Sequence, residues 1–249
     1  MLLFEIFKET ALSPVDVIQE AMRKKLVPPH DTPEYIRENF SMLVEELQAD
    51  AYMIYLETEK AAGQTAIRSV LNERTSADAS REEVINETCN IFKELDRLFL
   101  SISQSRKTRA GSAFEIILRT LFKKIDYPFD EQQVINGKPD FLMPGRRHYD
   151  TNSMDCIIFT VKRTLRERWR QIVTEGTRGL GFYLATIDEK VSSNQLDEMR
   201  DHRIYLVIPV DIKNRIERYS TAHNVITYEE FFKYHLDPAV TRWHDQGII

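Results

Sequence analysis

Apolar residues in the first hundred positions recur every three or four residues, the spacing of helices with one buried stripe. Ser13-Pro14 opens a helix with proline at its first position, and it runs to about Leu26. Val27-Pro28-Pro29-His30-Asp31 breaks the pattern, and Thr32-Pro33-Glu34 restarts it. In this second helix Ile36, Phe40, Leu43, Val44 and Leu47 share one stripe, and helical spacing continues from Tyr52 to Asn72. Ser80-Arg81-Glu82-Glu83 reads as a capping box for a further helix, whose expected buried face is Val84, Ile91, Leu95, Leu98 and Phe99.

The pattern restarts near Arg109-Ala110-Gly111-Ser112. Phe114, Ile117, Leu118, Leu121 and Phe122 stripe a helix ending around Lys124. Beyond it, strands alternate with helices. Strands are expected at Pro139–Met143, Met154–Val161, Gly181–Ile187, Arg203–Pro209 and Asn224–Ile226. Helices are expected from Thr164 to about Gly176, and over Ser192–Asp201, Asp211–Tyr219 and Thr227–His235. The fold class is therefore α/β: a mixed β-sheet core flanked by helices, with a helical N-terminal region. Residues 1–100 are expected to form that helical region, packed on a core of residues 101–249.

Composition narrows the class. The chain has 249 residues, 42% hydrophobic and 29% charged, as in water-soluble globular proteins. No apolar run approaches the ~20 residues of a membrane span, so no membrane partner is expected. Met1-Leu2-Leu3-Phe4 is soon interrupted by Glu5, Lys8 and Glu9, which does not resemble a signal peptide. Cys89 and Cys156 lie far apart, without a CxxC or Cys/His cluster, which favours reduced thiols, a cytoplasmic location and no zinc. The net charge of −5 argues against a polyanionic partner until its distribution is considered. Residues 101–178 hold fifteen Lys/Arg and nine Asp/Glu, whereas the remainder holds nineteen and thirty. A locally basic segment can steer DNA regardless of whole-chain charge.

That segment carries the candidate chemistry. Asp140 begins one apolar strand and Lys162 ends the next. The run Cys156-Ile157-Ile158-Phe159 is apolar on both faces, so the strand is central and Lys162 reaches the sheet's rim. Phosphodiester hydrolysis uses a divalent metal held by one or two carboxylates, and a nearby lysine can stabilise developing charge. The plainer reading is a turn acid after proline and a charge that ends a strand. Two residues before Lys162, where another metal-binding acid would be useful, stands Thr160. The second acid must come from elsewhere, with Glu175 and Glu115 as candidates at the borders of helical apolar stripes. Arg166, Glu167 and Arg168 open the helix after Lys162. They read either as a solvated helix start or as a reader of G·C pairs. Arginine in a first helical turn opposes the helix dipole. Arg pairs bidentately with guanine and Glu accepts from cytosine.

Three segments together resemble the EcoRII catalytic-domain group of type II restriction endonucleases, with the SsoII-like, PspGI-like and wider CCGG-recognising enzymes. They are Ser105-Arg106-Lys107-Thr108-Arg109-Ala110-Gly111-Ser112-Ala113-Phe114-Glu115, Lys138-Pro139-Asp140-Phe141-Leu142, and the run from Val161-Lys162 through Arg166-Glu167-Arg168-Trp169 to Ile172. The resemblance spans roughly residues 101–210. It implies a restriction-endonuclease-like PD-(D/E)xK core with a displaced acid. Asp140 then matches the metal-binding aspartate, Lys162 the catalytic lysine, Glu175 the acid displaced onto the helix and Glu115 the accessory glutamate. Arg166, Glu167 and Arg168 match the block that reads CC/GG. Arg106, Lys107 and Arg109 are implied DNA contacts, and Gln104 matches a glutamine on the minor-groove side. The resemblance further implies Mg²⁺, double-stranded DNA with CCNGG or CCWGG sites, a homodimer, and flipping of the central nucleotides. Tyr52 and Tyr55 are candidates for the aromatic wall behind flipped bases, with core packing as the plainer reading. Palindromic half-sites independently call for two subunits. Two other readings stay open: a structure-specific repair nuclease of the same fold, and a site-specific DNA-binding protein without activity.

Overall fold

A computed structural model describes residues 3–135, 138–165 and 181–249, apart from the Lys107 side chain. The chain forms two compact units, one of residues 1–24 and 48–113, the other of residues 25–47 and 114–249. The chain begins with helices α1 (Leu3–Thr10), α2 (Pro14–Lys25), α3 (Pro33–Glu38), α4 (Phe40–Arg74), α5 (Arg81–Asn90) and α6 (Phe92–Lys124). Helix α3 starts as its sequence dictates, with Thr32 accepting from the Tyr35 N–H and Pro33 in the first turn. Asn39 then interrupts the stripe that the pattern carries through as one helix, and its side-chain amide donates to the Tyr35 carbonyl. The Ser80 capping box is formed as expected.

In the first unit, Leu3, Ile6 and Phe7 of α1 pack with Ala62, Ala66 and Val70 of α4 and with Ile91, Leu98 and Ile102. The small alanines, spaced by one helical turn, let the neighbouring helices approach closely. Phe99 departs from expectation: it is 57% exposed, because the buried phase of α6 runs through Leu98 and Ile102. Helix α6 also passes through Gly111 without the expected restart. A side chain at Gly111 would meet open space, so the glycine costs the helix only its ~1 kcal/mol propensity penalty.

The second unit contains, among the described residues, a six-stranded sheet in sequence order. Its strands are β1 (Asp130–Glu131), β2 (Phe141–Met143), β3 (Ile157–Val161), β4 (Gly181–Ala185), β5 (Ile204–Ile208) and β6 (Val225–Thr227). Strands β1 to β3 pair antiparallel, and β3 to β6 pair parallel. The parallel strands are apolar on both faces, as buried parallel sheets require. One face carries Leu142, Ile158, Phe182, Leu184, Leu206 and Ile208. The other is aromatic: Phe122 meets Phe141 and Phe159, and Phe231 meets Phe159 and Tyr183.

Helix α7 (Arg146–Asn152) follows β2, and α8 (Ser193–Asp201) has the expected capping box at Ser192. The helix expected over Asp211–Tyr219 is split into α9 (Val210–Arg215) and α10 (Glu217–Ser220) by the extended backbone of Ile216. After β6, α11 (Tyr228–Phe231) passes through a π-helical turn at Phe232–Leu236 into α12 (Asp237–Asp245). Both cysteines are free, and burial pushes the Cys156 thiol up to about 12, which keeps it protonated and unreactive. No helix among the described residues is long and apolar enough to cross a membrane.

Candidate active site

Asp140 stands one residue before β2, and the antiparallel register sets it opposite Thr160 at the end of β3. It is 5% exposed, an unusual place for a carboxylate unless its oxygens are satisfied. Its Oδ2 accepts from the Val161 N–H at 2.6 Å and from the Thr160 hydroxyl at 3.3 Å. The Lys162 Nζ lies 3.7 Å from the same oxygen. Strand alternation puts residues 158, 160 and 162 on one face, so Thr160 and Lys162 both turn towards Asp140. The Lys162 backbone N–H continues the sheet by donating to the Ala185 carbonyl, while its side chain remains 46% exposed. The lysine is thus rooted at the end of β3, with its side chain partly exposed and its ammonium near Asp140.

Glu115, on α6, joins this group through Gln132. The Gln132 Nε2 donates to Glu115 Oε1 at 3.2 Å and to Asp140 Oδ1 at 3.4 Å. Arg119, one turn along α6, also holds Glu115 Oε1, at 2.6 Å. Arg119 and Lys123 in turn pair with Glu131 of β1. Asp140, Lys162 and Glu115 therefore converge. On each carboxylate one oxygen is held firmly and the other is nearly free: Asp140 Oδ1 has only the long Gln132 contact, and Glu115 Oε2 has none among the described residues.

The proposed DNA contacts on α6 are placed differently. Gln104 is exposed. Arg106 and Arg109 both bind Glu59, which is only 9% exposed. The Arg106 side chain remains 55% exposed and that of Arg109 16%. The Arg109 guanidinium lies 5.2 Å from the centre of the Tyr55 ring. Tyr52 is 60% exposed, which removes it from the core. Burial raises the Tyr55 hydroxyl above the ordinary tyrosine range, and its oxygen has no partner among the described residues.

Residues 69–232 match the family described as EcoRII C terminal. The chain belongs to the EcoRII C-terminal family. It is 28% identical over 213 residues to the type II restriction enzyme SsoII of Shigella sonnei, covering 80% of this chain and 69% of that one. It is 32% identical over 139 residues to the type II restriction enzyme EcoRII of Escherichia coli, covering 53% of this chain and 34% of EcoRII. Among solved structures, metal-depleted Ecl18kI in complex with uncleaved, modified DNA superposes with a TM-score of 0.79 at 26% identity, covering 97% of this chain and 83% of that one. The PspGI–substrate DNA complex, at 21% identity and a TM-score of 0.66, covers 96% of each chain and shares the fold.

In this family member, Arg166, Glu167, Arg168 and Glu175 lie outside the described residues, as does most of the helix expected from Thr164 to about Gly176. The chain leading to them is anchored: Leu165 is buried, and its N–H donates to Asp188 Oδ2 at 2.9 Å. Among the described residues no three metal-ligating side chains cluster. The two carboxylates that share Gln132 present hard oxygen ligands with free lone pairs, which suits a hard divalent cation rather than a thiophilic metal. Gln132 escaped the sequence reading. It sits in no periodic element and follows only a two-residue strand, so nothing in the pattern marks it.

Proposed function

We propose that this protein is a Mg²⁺-dependent type II restriction endonuclease that cleaves double-stranded DNA at a palindromic site with CC/GG half-sites. The observation that carries the reading is the buried Asp140, fixed through one oxygen by the Val161 N–H and 3.7 Å from the ammonium of the half-exposed Lys162 side chain. Restriction enzymes with this fold among its relatives support it.

Asp140 Oδ1 and Glu115, with Glu175 from the adjoining segment, would hold the metal. When bound, Mg²⁺ polarises the phosphoryl oxygen and makes water a better nucleophile. The strand ends do the positioning. A charge-assisted bond from Val161 keeps Asp140 from rotating, so its free oxygen keeps one direction. Lys162 offers its ammonium to the phosphate oxygen on which negative charge grows, and orients the attacking water. Arg166, Glu167 and Arg168 would read the G·C pairs from the major groove, only a few residues along the chain from Lys162. Arg106, Lys107, Arg109 and Gln104 would add DNA contacts. A homodimer matches the two half-sites, and the cytoplasm is where such an enzyme meets its substrate. The aromatic wall for flipped bases falls to Tyr55 and the exposed Tyr52.

The reading is tested by incubating plasmid DNA carrying CCNGG and CCGG sites with the wild type and with Lys162→Ala, with and without Mg²⁺. Discrete Mg²⁺-dependent cutting by the wild type alone is expected. Equal behaviour of the two proteins would refute the assignment.

A further inference from the structure

Gln132 is the side chain that joins the two carboxylates, and its backbone is built to aim it there. Its φ is +55°, a left-handed conformation uncommon outside glycine and asparagine. Its own N–H donates to the Asp140 carbonyl at 3.2 Å, which ties this turn to the start of β2. From that anchor the amide nitrogen reaches Glu115 Oε1 and Asp140 Oδ1. A primary amide carries two hydrogens, enough for one to each carboxylate. Both partners are acceptors, so the nitrogen and not the oxygen faces them. On the other side Arg119 draws Glu115 Oε1 towards the Glu131 network.

We propose that Gln132 is a positioning residue of the cation site: its amide keeps Glu115 beside Asp140 against the pull of Arg119, and so sets the affinity of the site for a divalent cation. The inference rests on the nuclease reading above. Two carboxylates on one amide repel each other in the cation-free protein, and the shared donor offsets that repulsion. Once a cation is bound, the same donor keeps the second carboxylate within its reach.

Two substitutions are expected to move the affinity in opposite directions. Gln132→Gly adopts a φ of +55° without strain and retains the backbone bond to Asp140, so it removes only the amide. Glu115 is then governed by Arg119, and cation affinity falls about tenfold, as when an outer-shell partner is lost. Gln132→Glu keeps the side-chain shape and adds a third carboxylate. More ligand charge tightens the hold on a hard cation, so this variant binds more strongly than the wild type. A residue that merely stabilised the turn would move both variants the same way.

The test is calorimetric titration of the DNA-free full chain with Mn²⁺, alongside the Mg²⁺ concentration for half-maximal plasmid cleavage. Thermal melting checks that each variant folds. Weaker Mn²⁺ binding by Gln132→Gly, tighter binding by Gln132→Glu and parallel shifts in the Mg²⁺ midpoint are expected. Dissociation constants for both variants within about twofold of the wild type, shifts in one common direction, or no Mn²⁺ binding by the wild type would overturn the proposal. Failure of the nuclease reading registers separately, as a wild type that cuts no DNA at any Mg²⁺ concentration.

Discussion

Two clusters of buried or partly buried carboxylates with basic side chains, Glu59 with Arg106 and Arg109 in the first compact unit and Asp140, Glu115 and Lys162 in the second, end in opposite states. In the first unit, Glu59 is closed. Arg106 spans both its oxygens and Arg109 adds another bond, so little of its charge is left to offer. In the second unit, Asp140 and Glu115 are each pinned through one oxygen, while the other oxygen is left almost unused. Lys162 approaches without closing, at 3.7 Å and nearly half exposed. A carboxylate satisfied on every side is a structural tie. One held rigidly by half its bonding capacity keeps charge and direction for an incoming ligand, which is the arrangement that preorganised catalysis needs.

The largest effect expected from this contrast is at Lys162. Lys162→Ala should lower the cleavage rate by about 10²–10³-fold, as loss of one preorganised charge-stabilising group does. The urea-unfolding midpoint should not move, since the side chain is nearly half exposed and its ion pair with Asp140 is long. A large stability loss would place Lys162 with the structural ties instead. Glu59→Gln should do the reverse. It leaves Arg109 poorly compensated in a partly buried place and should destabilise by about 1–3 kcal/mol, discounted because Arg106 is half-exposed. The Mg²⁺ midpoint of cleavage should stay where it is, and a shift would break the separation of the two clusters. Arg106→Gln sharpens the contrast further. Its guanidinium is exposed enough to meet a phosphate while bound to Glu59, so DNA affinity should fall and the salt slope of binding should decrease by about 1. An unchanged slope would make Arg106 purely a tie.

The smallest effect is on pH dependence. Burial lowers the His235 pKa in a site shared with Tyr183 and Tyr205. The unfolded chain therefore takes up the proton first, and stability is lost as pH falls below the ordinary histidine value. Unfolding free energies measured at about pH 7.5 and about pH 5.5 should diverge less for His235→Gln than for the wild type.

Much of the fold could be read in advance because it follows local rules. The apolar runs at β3, β4 and β5 announce a buried parallel sheet, and the Ser80 and Ser192 boxes announce their helices. Expectation failed where tertiary context outweighed pattern. Gly111 suggested a helix boundary, but in open space its cost is too small to end α6. Phe99 fits the apolar stripe of a short helix, but not the phase set by Leu98 and Ile102 over a long one. At the site, Asp140 and Lys162 were legible from their positions at strand ends, and Glu115 from the border of its stripe. Gln132 was not, because its role depends on a left-handed backbone angle and on two residues distant in sequence.

The most direct test of the central claim is to sequence the ends of the fragments released from plasmid DNA by the wild type in Mg²⁺. The ends should map to one palindromic site with CC/GG half-sites, and none should form with Lys162→Ala. Ends scattered without regard to sequence, or the same ends from Lys162→Ala, would contradict it.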